Sequence, residues 1–289
     1  MELWFSEKST ENTHLRIKVK KQLFSGESSF QKVDVFESVD YGRVLVIDGI
    51  LMLTEKDEFI YHEMITHVAM ATNPAAKRVL VVGGGDGGTV RELVRYPGLE
   101  KIDMVEIDKL VVDTCREYLP QTSHKLDEPR VTVLYEDGID YVRRQSEAYD
   151  IIIVDSTDPF FGPGEGLFTD EFYRDCHKAL GKDGILINQH ESPYYDIHYK
   201  LMARAHRRIR THFPICKVYQ MHIPTYPSGH WLLGFASKSL DPIGDMDAAK
   251  WNGLGLYTRY YNTNIHAGAF YLPTYVNELL SKADEIDEG

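Results

Sequence analysis

Cysteine and long apolar runs are both scarce in this chain of 289 residues. Its three cysteines, Cys115, Cys176 and Cys216, lie far apart and form no C-x-x-C pair. A disulfide framework and a cysteine-rich zinc site are therefore excluded, and a reducing compartment is expected. No apolar run approaches the ~20 residues that span a bilayer, and the N-terminus has no charged-then-apolar signal pattern. We therefore expect a soluble, cytoplasmic protein without a membrane partner.

Basic residues are also in deficit. The chain has 32 Lys and Arg against 44 Asp and Glu, which gives a formal net charge of −12. A general nucleic-acid binder needs a basic surface for phosphates, so nucleic acid is excluded as a partner. The acidic surplus permits a cationic substrate but does not require one, because a surplus of this size often serves only solubility.

The first 57 residues have the pattern of a small antiparallel β domain. Alternating runs at Lys32–Ser38 and Arg43–Ile47 predict two strands, and residues 50–53 predict a third. Asp48-Gly49 between the last two is a strong hairpin signal. The apolar residues in 58–70 are spaced as in a helix, which we expect to connect this domain to the rest of the chain.

From residue 78 onward, short apolar runs alternate with helical patterns. This alternation predicts an α/β domain over residues 58–289, in which helices cover both faces of a mostly parallel sheet. Ligands of such sheets bind beyond the carboxyl ends of the strands, near the point where the strand order reverses. The predicted strands span residues 79–82, 101–107, 131–135, 151–154, 184–189, 217–223 and 232–237, and the predicted helices span residues 89–95, 109–118, 170–180 and 197–211.

A glycine-rich loop follows the first of these strands and opens a helix. Gly83, Gly85 and Gly88 satisfy the pattern G-x-G-x-x-G, and Glu106 ends the next strand, where a carboxylate would meet ribose hydroxyls. This context favours nucleotide-type binding over a purely structural turn. The motif alone does not separate a dinucleotide from another adenosyl ligand.

Asp86 lies inside the glycine loop and helps to separate these ligands. A dinucleotide would place its pyrophosphate against the loop, where a carboxylate 4 Å away would repel it by about 4 kcal/mol at an effective dielectric near 20. The same carboxylate would attract a sulfonium or an ammonium. The loop therefore favours an S-adenosyl sulfonium over NAD, although Asp86 could also cap the following helix.

Two further strand ends carry acids. Asp137-Gly138 suits an adenine, because it offers an acceptor for the exocyclic amine and room for the ring, although Asp-Gly is also a common turn. Asp155 and Asp158 follow the buried strand at 151–154 and form the sharpest feature of the chain. The alternative for this pair is a capping Asp and a turn Asp. We interpret the pair as functional, because it belongs to a series of acids at the ends of successive strands.

His62 and His67 resemble a helical zinc motif but are five residues apart rather than four. This spacing turns the second side chain by ~140° around a helix, away from the face that would bind the metal. We therefore predict no metal site.

A series of ordered motifs extends along nearly the whole chain. The motifs are residues 57–64, 83–88, 106–108, 155–159, 224–229 and 260–262, followed by Ala269-Phe270 and Leu272-Pro273. Through these motifs the chain resembles the spermidine synthases (polyamine aminopropyltransferases). The resemblance implies a small N-terminal β domain on a Rossmann-like, methyltransferase-type α/β fold, assembled as a homodimer or homotetramer. It also implies transfer of an aminopropyl group from decarboxylated S-adenosylmethionine, a co-substrate rather than a cofactor, to putrescine, with spermidine and methylthioadenosine as products.

The resemblance also implies roles for individual residues. Asp155 would take a proton from the attacking amine, while Tyr61 and Tyr226 orient the nitrogen. Gly83, Gly85 and Pro163 would lie along the donor. The other donor contacts would be Gln31 and Asp86 near the sulfonium and the aminopropyl arm, Glu106 on the ribose, and Asp137-Gly138 on the adenine. The acceptor would contact His62, Asp86, Asp155, Asp158 and Tyr226.

The acceptor amine stays open at this point. Gln189 and Glu191 lie near the predicted far end of the acceptor, where Glu191 would bind a distal ammonium or serve as an ordinary loop carboxylate. Phe160-Phe161 makes the following loop longer than in many relatives. Cadaverine, agmatine or a longer polyamine is an alternative to putrescine. The sequence also leaves open an S-adenosylmethionine-dependent methyltransferase and a non-catalytic polyamine or nucleoside binder.

Overall fold

The N-terminal part of the chain forms a five-stranded antiparallel sheet with its strands paired in chain order. The computed structural model describes residues 2–157 and 162–285, and gives no side chains for residues 162, 163 and 165. The turn between Ile47 and Ile50 has positive φ at Asp48 and Gly49, as expected for the predicted hairpin. The strands are β1 (Leu3–Thr10), β2 (Thr13–Glu27), β3 (Lys32–Ser38), β4 (Arg43–Ile47) and β5 (Ile50–Thr54).

Strands β1 and β2 were not predicted individually. Strand β2 runs for 15 residues, and its register against β3 shifts between Val19 and Lys21 and again between Gln22 and Phe24. Each shift moves the following side chains to the other face of the sheet, so the alternation that identifies a strand is interrupted.

Helix α1 (Glu58–Thr72) begins directly after this sheet and confirms the predicted helix. Every residue in it except Phe59 is buried, so it is enclosed on all sides rather than amphipathic. Its buried Glu63 carboxylate accepts backbone N–H groups from Arg259, Tyr260 and Tyr261 at 2.8–2.9 Å. Helix α1 is therefore a core element that also holds the C-terminal segment.

The rest of the chain forms a seven-stranded sheet with helices. Its strands are β6 (Arg78–Gly83), β7 (Lys101–Val105), β8 (Val131–Leu134), β9 (Tyr149–Asp155), β10 (Leu180–Gln189), β11 (Ile215–His222) and β12 (His230–Ser237). Its helices are α2 (Gly88–Leu93), α3 (Lys109–Tyr118), α4 (Pro120–Ser123), α5 (Gly138–Arg143), α6 (Asp170–Ala179), α7 (Asp196–His212), α8 (Ala248–Gly253), α9 (Thr263–Ala269) and α10 (Thr274–Ser281). Two 3₁₀ helices span Gly162–Phe168 and Ala283–Glu285.

The strand order is β11-β12-β10-β9-β6-β7-β8, and the order reverses between β6 and β9. Strands β10, β9, β6, β7 and β8 are parallel, whereas β12 pairs antiparallel with both β10 and β11. This arrangement confirms the predicted α/β fold with a small N-terminal antiparallel sheet. It also places the carboxyl ends of β6 and β9 at the point where a ligand is expected.

Alternate residues of the central strands pack into two separate cores. Val79 and Val81 lie in the core that contains α1, whereas Leu80 and Val82 lie in the core on the opposite face. Burial on both faces explains why these strands are short, continuous apolar runs. The two cores hold the strand ends rigidly at the edge where the acids lie.

The C-terminal helices α8, α9 and α10 were not predicted. They are short, and their stability comes from contacts with distant parts of the chain, such as the packing of Trp251 and Tyr261 into the core around α1. In the part of the chain that the structure describes, no helix has both the length and the apolar character needed to cross a bilayer.

Candidate active site

The glycine loop and the end of β9 meet at the point where the strand order reverses. Gly84 donates its backbone N–H to the carbonyl oxygen of Asp155 at 2.7 Å. Gly83 has φ +82, and a Cβ there would lie 2.3 Å from the same carbonyl oxygen. Only glycine fits this close approach of two backbones. The loop therefore sets the position of Asp155.

A cavity of about 800 Å³ opens at this edge, between the two sheets. It brings together most of the residues that the sequence singled out: Gln31, Tyr61, His62, Gly83, Gly85, Asp86, Glu106, Asp137, Gly138, Asp155, Gln189 and Tyr226. Glu191 contacts two residues of the cavity wall. Asp158, Phe160, Phe161 and the side chain of Pro163 lie outside the described residues.

Asp155 lies at the end of β9, where it lines the cavity. Its carboxylate accepts the Thr89 hydroxyl at 2.7 Å and the Tyr61 hydroxyl. Burial and then the neighbouring Asp86 raise the pKa of Asp155, and His62 and the two hydroxyls oppose this rise. A carboxylate with a raised pKa is a better proton acceptor than an exposed one.

His62 lies between two carboxylates. Its Nδ1 contacts Glu58 Oε2 at 2.5 Å, and its Nε2 contacts Asp86 Oδ1 at 3.2 Å. Burial alone would lower the pKa of His62, but Asp86 and Glu58 outweigh it and raise the pKa to about 10. The ring is therefore an imidazolium at neutral pH.

The donor atoms of His62, Asp86 and Asp155 lie within 4.8 Å of one another, close enough to hold a metal ion together. The contacts of the ring argue against this use, because Nδ1 is engaged by Glu58 and Nε2 by Asp86, and carboxylates in these positions accept ring N–H groups. His67 contacts the Tyr96 hydroxyl at 2.7 Å instead of joining this group. We assign no metal to these residues.

Asp86 precedes the N-cap of α2 by one residue. Its Oδ1 accepts the N–H of Gly88 at 2.8 Å at the start of that helix, and the same oxygen contacts His62. The carboxylate also lines the cavity. Asp86 therefore supports the start of a helix, and its place on the cavity wall is compatible with the predicted contact to a cationic ligand.

Glu106 is buried at the end of β7. It accepts the backbone N–H groups of Asp108, at 3.0 Å, and of Gly85. Burial raises its pKa to about 7, and the charges of Asp108 and Asp155 add to this rise. A carboxylate held this way is ready to bind neutral hydroxyl groups.

Glu106→Gln should be stabilising above neutral pH relative to the parent chain. Because the pKa of Glu106 is about 7 when folded and 4.5 as its unperturbed value, the folded state binds the extra proton between these pH values. The parent chain therefore loses stability as pH rises through this window, by on the order of 3 kcal/mol at most. Urea unfolding of both proteins at pH 5 and pH 8, at one protein concentration, measures this. If the free energies of unfolding of the variant and the parent chain differed by the same amount at both pH values, the prediction would be contradicted.

Asp137 and Gly138 lie at the start of helix α5, and both line the cavity. Asp137 accepts the N–H of Ile139 at 2.7 Å and so caps the helix. A Cβ on Gly138 would lie 2.5 Å from Val82 Cγ1. The packing of the protein itself therefore favours glycine at this position, and the predicted adenine contact stays a prediction.

The far end of the cavity has its own polar group. Gln189 Nε2 donates to Glu191 Oε1 at 3.2 Å, and the other carboxylate oxygen contacts His198 Nδ1 at 3.0 Å. Tyr226 donates its hydroxyl to the Met52 carbonyl at 2.7 Å and packs its ring against Trp231 at 4.9 Å. Aromatic rings and polar side chains therefore lie together in the wall of the cavity.

Sequence reasoning missed Glu7, Glu58 and Thr89. Glu58 precedes His62 by one helical turn, a spacing that can be read from the sequence. Glu7 lines the cavity from β1, which was not predicted, and it accepts the N–H of Leu51 at 2.7 Å. Thr89 reaches Asp155 across 66 residues of sequence, and no local pattern signals such a contact.

The fold is that of a Rossmann-like α/β protein of methyltransferase type with an added β domain. The model of the spermine/spermidine synthase domain matches residues 58–245, and that of the spermidine synthase tetramerisation domain matches residues 3–55. The chain belongs to the spermine/spermidine synthase family.

Individual relatives agree with this assignment. The chain is 65% identical to the polyamine aminopropyltransferase of Alkaliphilus oremlandii (strain OhILAs) and 64% identical to that of Clostridium perfringens (strain 13 / Type A), in each case over 99% of this chain and 100% of the relative. A spermidine synthase solved with the transition-state analogue AdoDATO has a TM-score of 0.94 and 45% identity, with 96% of this chain and 95% of that chain covered. The spermidine synthase from Thermotoga maritima has a TM-score of 0.91 and 43% identity, with 96% and 94% covered.

Proposed function

We propose that this chain transfers the aminopropyl group of decarboxylated S-adenosylmethionine to putrescine, producing spermidine and methylthioadenosine. The observation that carries the proposal is the half-buried Asp155 carboxylate, which accepts two hydroxyl groups in a cavity lined by further acids. Family membership supports the same conclusion.

The donor would bind along the carboxyl ends of β6, β7 and β8. Glu106 would accept the ribose hydroxyls, and Asp137 would accept the adenine amine. Gln31 and Asp86 would lie near the aminopropyl arm, with Gly83, Gly85, Gly138 and Pro163 along the adenosine. A cavity of about 800 Å³ is large enough for a nucleoside and a diamine together.

The acceptor would occupy the other half of the cavity. Asp155 and Asp158 would bind the attacking end of the diamine, with Tyr61, His62 and Tyr226 around it. Gln189 and Glu191 would bind the distal ammonium. The aromatic rings of Tyr226 and Trp231 suit the methylene chain between two cations.

In the reaction, the amine nitrogen attacks the methylene carbon next to the sulfonium sulfur. The N–C bond forms as the S–C bond breaks, and the electron pair of that bond goes to sulfur, which leaves as a neutral thioether. Asp155 takes the proton that the nitrogen releases. The raised pKa of Asp155 favours this step, and alignment of the nitrogen with one of three electrophilic carbons supplies most of the remaining rate.

No cofactor or metal is needed for this chemistry, because the leaving group is neutral and the donor is already activated. We further propose a homodimer or homotetramer, which the match of residues 3–55 to a tetramerisation domain supports. A cytoplasmic location agrees with the three free cysteines, all of which lie in the described ranges.

Mass spectrometry of the products tests the proposal. Decarboxylated S-adenosylmethionine is incubated with an equimolar mixture of putrescine, cadaverine, agmatine and spermidine. We expect putrescine to gain one aminopropyl unit fastest, with equimolar methylthioadenosine. Faster reaction of another amine would overturn the putrescine assignment alone, and a gain of one methyl group from S-adenosylmethionine, without aminopropyl transfer, would overturn the reaction type.

A further inference from the structure

A chain of charges of alternating sign, buried or half-buried, runs from the cavity into the protein. It begins at Asp86 and continues through His62 and Glu58 to Arg91 of α2, which in turn contacts Glu92 at 3.0 Å. Side chains of opposite charge therefore alternate along a path that leads away from the reacting groups. Removing one member would leave its neighbours as uncompensated buried charges.

Glu58 is the central member of this chain. Arg91 holds its carboxylate with two hydrogen bonds, of 2.8 Å to Oε1 and 3.0 Å to Oε2. This fork fixes the plane of the carboxylate and directs Oε2 toward His62 Nδ1. Burial would raise the pKa of Glu58, but His62 and Arg91 outweigh it and lower the pKa to about 2.

The ring of His62 has little freedom to move. A Cβ on Gly88 would lie 2.2 Å from the ring, so the backbone of α2 packs directly against it. The charged or titratable groups around the ring are Glu58 on its own helix, Asp86 in the glycine loop, Asp155 at the end of β9, and the neighbouring Tyr61. Glu58 and Asp86 engage its two nitrogens from opposite sides.

We propose that Glu58 is a positioning residue of the active site, which keeps His62 doubly protonated and so holds the Asp86 carboxylate in place for the donor. The expected effect on the kinetics rests on the proposed function. The expected protonation of the His62 ring does not. Glu58 acts through His62, since its carboxylate contacts Nδ1 of the ring while Asp86 contacts Nε2. Arg91 anchors Glu58 and sets the direction of its carboxylate.

Glu58→Gln tests the proposal through the titration of the His62 ring, followed by NMR of the ¹⁵N-labelled protein. The signal is assigned by its loss in His62→Gln. In the parent chain we expect the ring to titrate near pH 10. In Glu58→Gln its pKa should fall by about 1–3 units, because one of two opposite charges is gone. A ring that still titrates near pH 10 in this variant would overturn the proposal.

Arg91→Met is the second test. Glu58 remains as the charged partner of His62 and loses only its anchor, while the loss of a neighbouring positive charge favours the protonated ring, so we expect the pKa of His62 to change by less than about 1 unit. A fall of about 1–3 units would overturn the proposal, because it would occur with the Glu58 charge still present. This test remains if Glu58→Gln does not fold. General loosening of the packing would lower the pKa of His62 in both variants, whereas loss of the Glu58 charge lowers it only in Glu58→Gln.

The kinetic arm uses Glu63→Gln as the matched control, since Glu63 is a buried carboxylate of the same helix that accepts the backbone N–H groups of residues 259–261. At pH 9, Glu58→Gln should raise the KM for the donor about tenfold with kcat nearly unchanged. The rise should shrink toward pH 7 as the ring regains its proton. An equal rise at both pH values, or the same rise in Glu63→Gln, would contradict the proposal. If the parent chain transfers no aminopropyl group, the proposed function fails, while the ring titration still decides the role of Glu58.

Discussion

Asp155→Asn is expected to lower kcat about 10²–10⁴-fold, the range that a positioned general base contributes. The amide keeps a carbonyl oxygen for the Thr89 hydroxyl, so the side chain should stay in place. It cannot take up the proton that the attacking nitrogen releases. Steady-state kinetics with decarboxylated S-adenosylmethionine and putrescine, followed through methylthioadenosine, measure the effect. The KM of the donor should change much less than kcat.

Asp150→Asn is the matched control, because Asp150 lies at the other end of the same strand. Its carboxylate accepts the backbone N–H groups of Lys77 and Arg78 at 2.8 and 2.9 Å, far from the cavity lining. This variant should retain the kcat of the parent chain. If Asp155→Asn also retained it, Asp155 would not be the base, and another group or solvent would accept the proton.

The surroundings of Asp155 would let one carboxylate both bind and activate an amine in the proposed reaction. Burial and Asp86 raise the pKa of Asp155. A bound sulfonium and ammonium would lower it, because nearby positive charges favour the carboxylate form. As the N–C bond forms, the positive charge moves from the sulfur to the attacking nitrogen. The N–H of that nitrogen then becomes acidic enough to pass its proton to Asp155.

The position of the candidate site could be predicted from the sequence because parallel strands end at the same edge of a sheet. Glu106, Asp137 and Asp155 each follow a short apolar run, and all three line the one cavity. The buried strands were identified for the same reason, since residues enclosed on both faces form continuous apolar runs. For these residues, the local sequence pattern alone was enough to predict where they lie in the fold.

The supporting contacts could not be predicted, because they join residues that are distant in sequence. Thr89 bonds Asp155 across 66 residues, and Arg91 reaches Glu58 across 33. Glu63 holds a segment almost 200 residues later, which is why the short C-terminal helices form without a strong signal of their own. These contacts depend on how the helices pack against the sheet, and this packing cannot be read from local patterns in a single sequence.

Gly83→Ala is the second variant for which we expect a large effect. Its φ of +82 is costly for alanine by about 1–2 kcal/mol. The added Cβ would lie 2.3 Å from the Asp155 carbonyl oxygen, and relieving such a clash in packed surroundings costs about 1–3 kcal/mol more. The free energy of unfolding should therefore fall by about 2–5 kcal/mol, as measured by urea unfolding at fixed protein concentration.

The variant should also lose about 100-fold or more in kcat/KM even where it remains folded, because a shift of about 1 Å in a reacting group has this effect. The clash lies on the backbone of Asp155, so any relief moves the proposed base away from its hydroxyl partners. Gly98→Ala is the control, since nothing lies within 4 Å of a Cβ at that exposed turn. It should match the parent chain in stability and activity. A Gly83→Ala protein with full activity would mean that Asp155 does not depend on the glycine loop for its position.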